Sequence, residues 1–177
     1  ELIMKITYSE ELLKRAEEGD AESQWKLGMC YSNGSGIDKN DEKAFYWYTK
    51  AAEQGSPEGQ GLLADYYARG RYVEKDLEKA VYWYEKSAEQ GFPEAQHNLA
   101  CCFQAGTGVE KNFEKAFYWF TKSAEQGFPE SQFGLGLFYE NGQGVSKDLK
   151  KAVFWYKKST EQGNESAQKR LQELEAN

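Results

Sequence analysis

The residues with the widest chemical range in this chain are one histidine, His97, and three cysteines, Cys30, Cys101 and Cys102. A histidine can serve as a general base or a metal ligand, and a thiolate can be a nucleophile or a ligand. Their arrangement supports neither use. No His/Cys cluster has metal-ligand spacing. An odd number of cysteines at irregular intervals is not a disulfide framework, and adjacent Cys101 and Cys102 point to different sides of a helix. His97 has no visible partner in the sequence, and no nucleophile, base and oxyanion donor can be assembled around it. No isolated pair of carboxylates sits among apolar residues as an acid/base dyad would. Glu22, Glu58, Glu94 and Glu130 recur in the first turn of a helix, where they favour the helix dipole. The Gly-x-Gly segments are too short for a phosphate loop and lack its strand and lysine. The chain is therefore expected to be no enzyme and to hold neither cofactor nor metal.

Binding is the remaining chemistry, and one stripe of residues suits it. It begins with Trp25, Gly61, His97 and Phe133. One turn on it has Met29, Asp65, Cys101 and Leu137, and a further turn on Ser32, Ala68, Gln104 and Glu140, flanked by Asn33, Arg69, Ala105 and Asn141. Positions three and four apart share a helix face. Aromatic and aliphatic residues beside Asp65, Arg69 and His97 have the makeup of a protein hot-spot region, where a peptide or a partner helix could lie. The expected site comprises Trp25, Met29, Asn33, Gly61, Asp65, Arg69, His97, Cys101, Gln104, Phe133, Leu137 and Glu140, with Gly61 leaving room among large neighbours. Packing against neighbouring helices would account equally well for Trp25, Phe133 and Leu137.

These positions can be aligned with one another because the chain is periodic. Gly19, Gly55, Gly91, Gly127 and Gly163 follow one another at intervals of 36. Gln24, Gln60, Gln96 and Gln132 keep that register, as do Leu27, Leu63, Leu99 and Leu135, and Trp47, Trp83, Trp119 and Trp155. Each unit closes on Glu-Gln, from Glu53-Gln54 to Glu161-Gln162. A fixed period of this length is the signature of a stacked repeat.

Each unit reads as two helices. Helix A starts at a turn such as Gly55-Ser56-Pro57, with proline in its first turn, and ends at a glycine, Gly34, Gly70, Gly106 or Gly142. A branched residue follows, Ile37, Val73, Val109 or Val145, placed to plug the hairpin. Helix B begins behind Asn40, Asp76, Asn112 or Asp148 as cap. Its alanines and the Trp-Tyr pair at Trp47-Tyr48 read as core. Tyr46, Tyr82, Tyr118 and Phe154 form a second stripe, beside Lys50, Lys86, Lys122 and Lys158; it reads chiefly as packing between adjacent B helices, and partner binding is the other use. The second unit departs from the loop pattern, since Arg71-Tyr72 stands where the others have x-Gly, so the turn is either different or locally adapted.

The motif Leu27-Gly28, Tyr31, Gly34 to Ile37, and Lys43-Ala44 to Gly55 resembles the Sel-one-like repeat (SLR), a relative of the tetratricopeptide repeat. The resemblance covers residues 19–162. It implies an all-α, right-handed α-α superhelix, a solenoid of four helix-turn-helix repeats at 19–54, 55–90, 91–126 and 127–162. A half-repeat cap over 1–18 and a capping helix over 163–177 would complete one domain, 1–177. It also implies that the varying stripe lines a concave groove and that the protein is an adaptor or scaffold. One branch of the family bridges each hairpin with a disulfide and is linked to β-lactam binding; this chain lacks those cysteines, so that link does not carry over.

Composition narrows the partner. Hydrophobic residues make up 40% and charged residues 29%, as in a folded soluble domain. A net charge of −7 disfavours nucleic acid and anionic membrane surfaces, which demand clustered Lys and Arg, and suits a basic protein. No apolar run is long enough to span a bilayer. The expected partner is a protein or peptide, with no nucleic acid and no membrane insertion, and the chain is expected to be monomeric. An inhibitor of a toxin or enzyme, of the immunity-protein kind, is the alternative; a hydrolase of cell-wall or β-lactam substrates ranks last. Unpaired cysteines and a start without the pattern of a signal peptide lean weakly towards the cytoplasm, with the periplasm or secretion as the alternatives.

Overall fold

The computed structural model describes residues 6–176, so residues 1–5 of the expected N-terminal cap and Asn177 lie outside the described residues. Among the described residues there are helices and no strand. The chain divides between Gln90 and Gly91 into two compact units. The first holds α1 (Glu10–Glu17), α2 (Ala21–Asn33), α3 (Asp41–Glu53), α4 (Pro57–Arg69) and α5 (Leu77–Glu89). The second holds α6 (Pro93–Ala105), α7 (Phe113–Glu125), α8 (Pro129–Asn141), α9 (Leu149–Glu161) and α10 (Glu165–Glu175). Within each unit successive helices pack as hairpins, α2 on α3 and α4 on α5 in the first, α6 on α7 and α8 on α9 in the second. The fold class is all-α, built from stacked helical hairpins.

The helix boundaries follow from capping chemistry. Asn40, Asp76, Asn112 and Asp148 each accept a hydrogen bond from the backbone N–H three residues on, which satisfies a donor that the helix start leaves open. Asp20 and Ser56 do the same for α2 and α4. α6 and α8 start behind Phe92 and Phe128, with no side-chain cap and proline in the first turn. Among the described residues no helix is long and apolar enough to cross a membrane.

Two sequence periodicities have direct structural causes. The Gln of helix A and the Gln that closes helix B are hydrogen-bonded to each other in every hairpin: Gln54 to Gln24, Gln90 to Gln60, Gln126 to Gln96 and Gln162 to Gln132. The helix A partner is buried each time, so the pair satisfies amides that burial would otherwise penalise. The glycine of Leu27-Gly28 lies under the ring of Tyr48; a Cβ at Gly28 would sit 2.6 Å from Tyr48 Cε1. Gly136 lies under Tyr156 in the same way.

The first unit centres on Leu27, Tyr31, Ala44, Tyr48, Ala52, Leu63 and Tyr66. In the second, Leu99, Ala116, Phe120, Leu135, Phe138, Ala152, Tyr156 and Ala167 are buried. The tryptophans differ from expectation. Trp47, Trp83, Trp119 and Trp155 are half-buried at the edge of the helix B face, while the residue after each, Tyr48, Tyr84, Phe120 and Tyr156, takes the core position. The second stripe also differs. Tyr46, Tyr82, Tyr118 and Phe154 are exposed rather than core, each with about half of its surface open to solvent. Each packs edge-on against the next tryptophan of its own helix, beneath the lysine one turn on.

Candidate functional site

The varying stripe resolves into two different environments. In the first unit, α2 and α4 bring Met29, Asn33, Asp65 and Arg69 together around a pocket of about 180 Å³. Ser32, Tyr48, Leu62, Tyr66 and Arg71 complete its lining. Asn33 and Arg69 are exposed, Met29 and Asp65 half-buried. Trp25 lies two turns from Asn33, half-buried against the core, with the Lys26 ammonium 5.6 Å from its ring. Gly61 is buried and is not among the residues that line this pocket.

The charges of this pocket are held in place. Asp65 accepts a hydrogen bond from the Tyr84 hydroxyl. Burial pushes its carboxyl above the ordinary range, and the Tyr84 bond and the nearby Arg69 and Arg71 guanidiniums offset this only in part. Arg71 pairs with Asp41 and lies 4.7 Å from the centroid of the Tyr66 ring. Tyr66 donates to the same Asp41 at 3.1 Å. The pocket thus offers an apolar wall from Met29 and Leu62, polar groups from Ser32 and Asn33, and an exposed guanidinium from Arg69.

In the second unit the corresponding residues are committed to packing. Phe133 and Leu137 join the cluster of Ala152, Tyr156 and Ala167, to which Leu171 and Leu174 of α10 also belong. Glu140, expected on the open face, is 7% exposed. It accepts from the Tyr156 hydroxyl at 2.6 Å and pairs with Arg170 of α10. The Arg170 bond holds its carboxyl below the ordinary range. Gln104 is half-buried.

His97 has partners that the sequence did not disclose. Its Nδ1 lies 2.9 Å from Ser131 Oγ, and its Nε2 lies 3.6 Å from Cys101 Sγ. Ser131 donates to Ser123, and Ser123 to the Pro93 carbonyl. The imidazole sits between the Phe120 and Phe128 rings, with centroids at 5.6 and 5.3 Å. Burial lowers the His97 pKa and raises those of Cys101 and Cys102, the last to about 11. An activated thiol needs the opposite shift, so this is a buried polar chain rather than a nucleophile and its base. No group of three or more His, Cys, Asp or Glu among the described residues could hold a metal ion.

One rule explains much of the variation along the stripe. The core tyrosine of helix B needs a partner for its hydroxyl, since a buried donor left unpaired is costly. Tyr84 finds Asp65, Tyr156 finds Glu140, and Ser32 sits beside Tyr48. At the remaining hairpin the residue is Phe120, which needs none, and there His97 packs against the ring. Sequence comparison between units detects the variation but not this cause, because donor and acceptor lie 16 to 19 residues apart on different helices.

Fold and surface together define an all-α protein of helical hairpin repeats. The chain belongs to the Sel1 repeat family, whose model matches at residues 21–56, 57–92, 93–128 and 129–164; those repeats form solenoids. A stretch of 39 residues is 51% identical to the Sel1-repeat-containing protein YbeQ of Escherichia coli, covering 22% of this chain and 12% of that protein. Among solved structures, the chain is similar to c5321, a protective antigen of uropathogenic Escherichia coli displaying an SLR fold (TM-score 0.85, 38% identity, 89% of this chain and 34% of that one). It is also similar to a Sel1 repeat protein from Oxalobacter formigenes (TM-score 0.83, 33% identity, 92% and 48%). The chain therefore spans less than half the length of each of these relatives. Sel1 repeat proteins are in general interaction scaffolds without catalytic activity.

Proposed function

We propose that this chain is a non-catalytic interaction module that receives a segment of a partner protein on the helix A face of its first unit. The observation that carries the reading is the pocket between α2 and α4. Met29, Asn33, Asp65 and Arg69 come from two helices and line one depression. Its mixed lining suits a peptide that inserts an apolar side chain beside Met29 and Leu62 and hydrogen-bonds to Asn33 and Arg69. The second unit contributes less, because Phe133, Leu137 and Glu140 are already engaged.

The test is capture of a partner by the wild-type chain, followed by binding measurements on two folded variants. Met29→Ala with Arg69→Glu changes the pocket and leaves every fully buried side chain in place, Met29 itself packing only at the margin of the core. Gln104→Ala changes the same stripe in the second unit, at the register of the pocket residue Ser32. Loss of affinity in the first variant and not the second supports the reading. Equal affinity in the wild type and the pocket variant refutes it.

A further inference from the structure

α3 and α7 carry the same residues along one face. On α3 these are Glu42, Phe45, Tyr46, Thr49, Lys50 and Glu53; on α7 they are Glu114, Phe117, Tyr118, Thr121, Lys122 and Glu125. The loop that faces each helix is different. In the second unit it presents Gly144, which has no side chain, and in the first it presents Tyr72. Tyr72 takes the same left-handed backbone, φ 62° for both residues. A tyrosine in this conformation is unfavourable where glycine is not. Its ring is not there to fill the core, since Tyr72 is 56% exposed.

The ring walls a slot instead. With Glu42, Phe45, Tyr46, Thr49, Lys50 and Glu53, Tyr72 encloses about 360 Å³ along α3. Its hydroxyl donates to Glu42 Oε1 at 3.1 Å, which fixes that carboxylate at the rim. Its ring centroid lies 5.7 Å from that of Phe45 on the floor. The rim carries two carboxylates and one ammonium, and the ammonium, Lys50 Nζ, lies over the Tyr46 ring at 5.7 Å. The slot already holds one cation against one tyrosine face. The Tyr72 face and the Glu42 carboxylate offer the same chemistry for a second.

We propose that this slot receives an arginine side chain of a partner protein, its guanidinium stacked on Tyr72 and paired with Glu42. The planar guanidinium matches an aromatic face and a carboxylate edge together, which a compact ammonium does not. The methylene stem of arginine would lie along Phe45 and the Thr49 methyl. The two rim carboxylates and the net charge of −7 disfavour an acidic or phosphorylated ligand. The slot shares no lining residue with the α2/α4 pocket, so this inference stands or falls separately from the function proposed above.

The experiment uses the full chain with labelled tyrosine rings, titrated with acetyl-Gly-Arg-Gly-amide and followed by NMR. The citrulline analogue is the control, being nearly the same shape without the charge. Saturable shifts at Tyr46 and Tyr72 are expected with the arginine peptide in the roughly millimolar range, with Tyr118 unmoved as an internal reference. The citrulline peptide should bind at least about tenfold more weakly. Tyr72→Gly, which restores the loop residue used at positions 36, 108 and 144, should fold and lose the response, and Glu42→Gln should weaken it. No response at Tyr72, an equal response to citrulline, an equal response at Tyr118, or a response that survives in folded Tyr72→Gly would each overturn the proposal.

Discussion

At one place in the repeat the two units solve the same packing problem with opposite chemistry. In the second, Phe113 at the start of α7 meets Phe138 edge-on at 6.1 Å, and the loop above them carries Gln143 and Gly144. In the first, the equivalent residues are Asp41, Tyr66, Arg71 and Tyr72, and they form a polar network: Arg71 and Tyr66 on Asp41, Tyr72 on Glu42. Four positions differ together, and each makes sense only with the others. Tyr66 keeps the aromatic volume of Phe138 and adds a hydroxyl, Asp41 accepts from it, and Arg71 neutralises Asp41. The repeat thus fixes a geometry, while the residues that fill it can be exchanged as a set.

The largest test of that comparison is truncation of the buried aromatic. Phe138 is fully buried and packs against Phe113, Phe117 and Phe120. Phe138→Ala should destabilise the protein by about 3–5 kcal/mol in denaturant titration. Arg71→Ala, at an ion pair about one-third exposed on each side, should cost no more than about 1 kcal/mol. If the two losses were equal, the polar network would be a structural equivalent of the aromatic one rather than a lighter substitute.

Next in size is the Glu140 pair. Glu140→Ala strands the Tyr156 hydroxyl in the interior and frees Arg170, with an expected loss of roughly 2 kcal/mol. The pair also predicts a pH dependence. The Glu140 carboxyl is held below its ordinary 4.5 by Arg170, so its contribution is complete above that pH and fades as pH falls through the lower, folded-state value. The midpoint of unfolding should therefore drop more steeply below pH 4.5 in the wild type than in Glu140→Gln. Parallel curves would mean that the pair is solvated.

These engagements mark where the sequence stopped being legible. The hairpins, their caps and their period were readable because capping and helical periodicity act over three or four residues, as at Asn40 and Lys43. The stripe was readable as a face but not as a site. That Glu140 meets Arg170, or His97 meets Ser131, depends on contacts 30 or more residues apart, and no local pattern encodes them. The Trp-Tyr pair shows the same limit: both residues look like core, and only the helix orientation reveals that Tyr48 points inward and Trp47 to the edge. Arg71-Tyr72 was visible as a departure, but its cause, the change at Asp41 some 30 positions earlier, was not.

A smaller effect separates the two loops directly. A Cβ at Gly144 would run into the Phe113 carbonyl oxygen, and the backbone there is left-handed. Gly144→Ala should cost about 1–3 kcal/mol. Tyr72→Gly removes a strained side chain but adds backbone freedom to the unfolded chain, so its net effect should stay within about 1 kcal/mol. Denaturant midpoints of the two variants would sharpen the comparison, and a Tyr72→Gly loss as large as that of Gly144→Ala would show that the tyrosine is needed for folding.

The least of these effects belongs to His97. Burial between Phe120 and Phe128 depresses its pKa below the ordinary 6.5, and the charge of Glu130 offsets this only in part. The unfolded chain therefore takes up a proton at a higher pH than the folded one. Stability is undiminished above about pH 6.5 and declines as pH falls below it, until the folded-state imidazole itself protonates. Nothing comparable is expected of the first unit, which contains no histidine. Replacing His97 by Gln should shift the baseline, because the ring contacts are lost, and should also flatten the slope between pH 6.5 and the onset of carboxylate titration. The slope is the informative quantity: ring packing alone gives no pH dependence, whereas a buried neutral imidazole requires it.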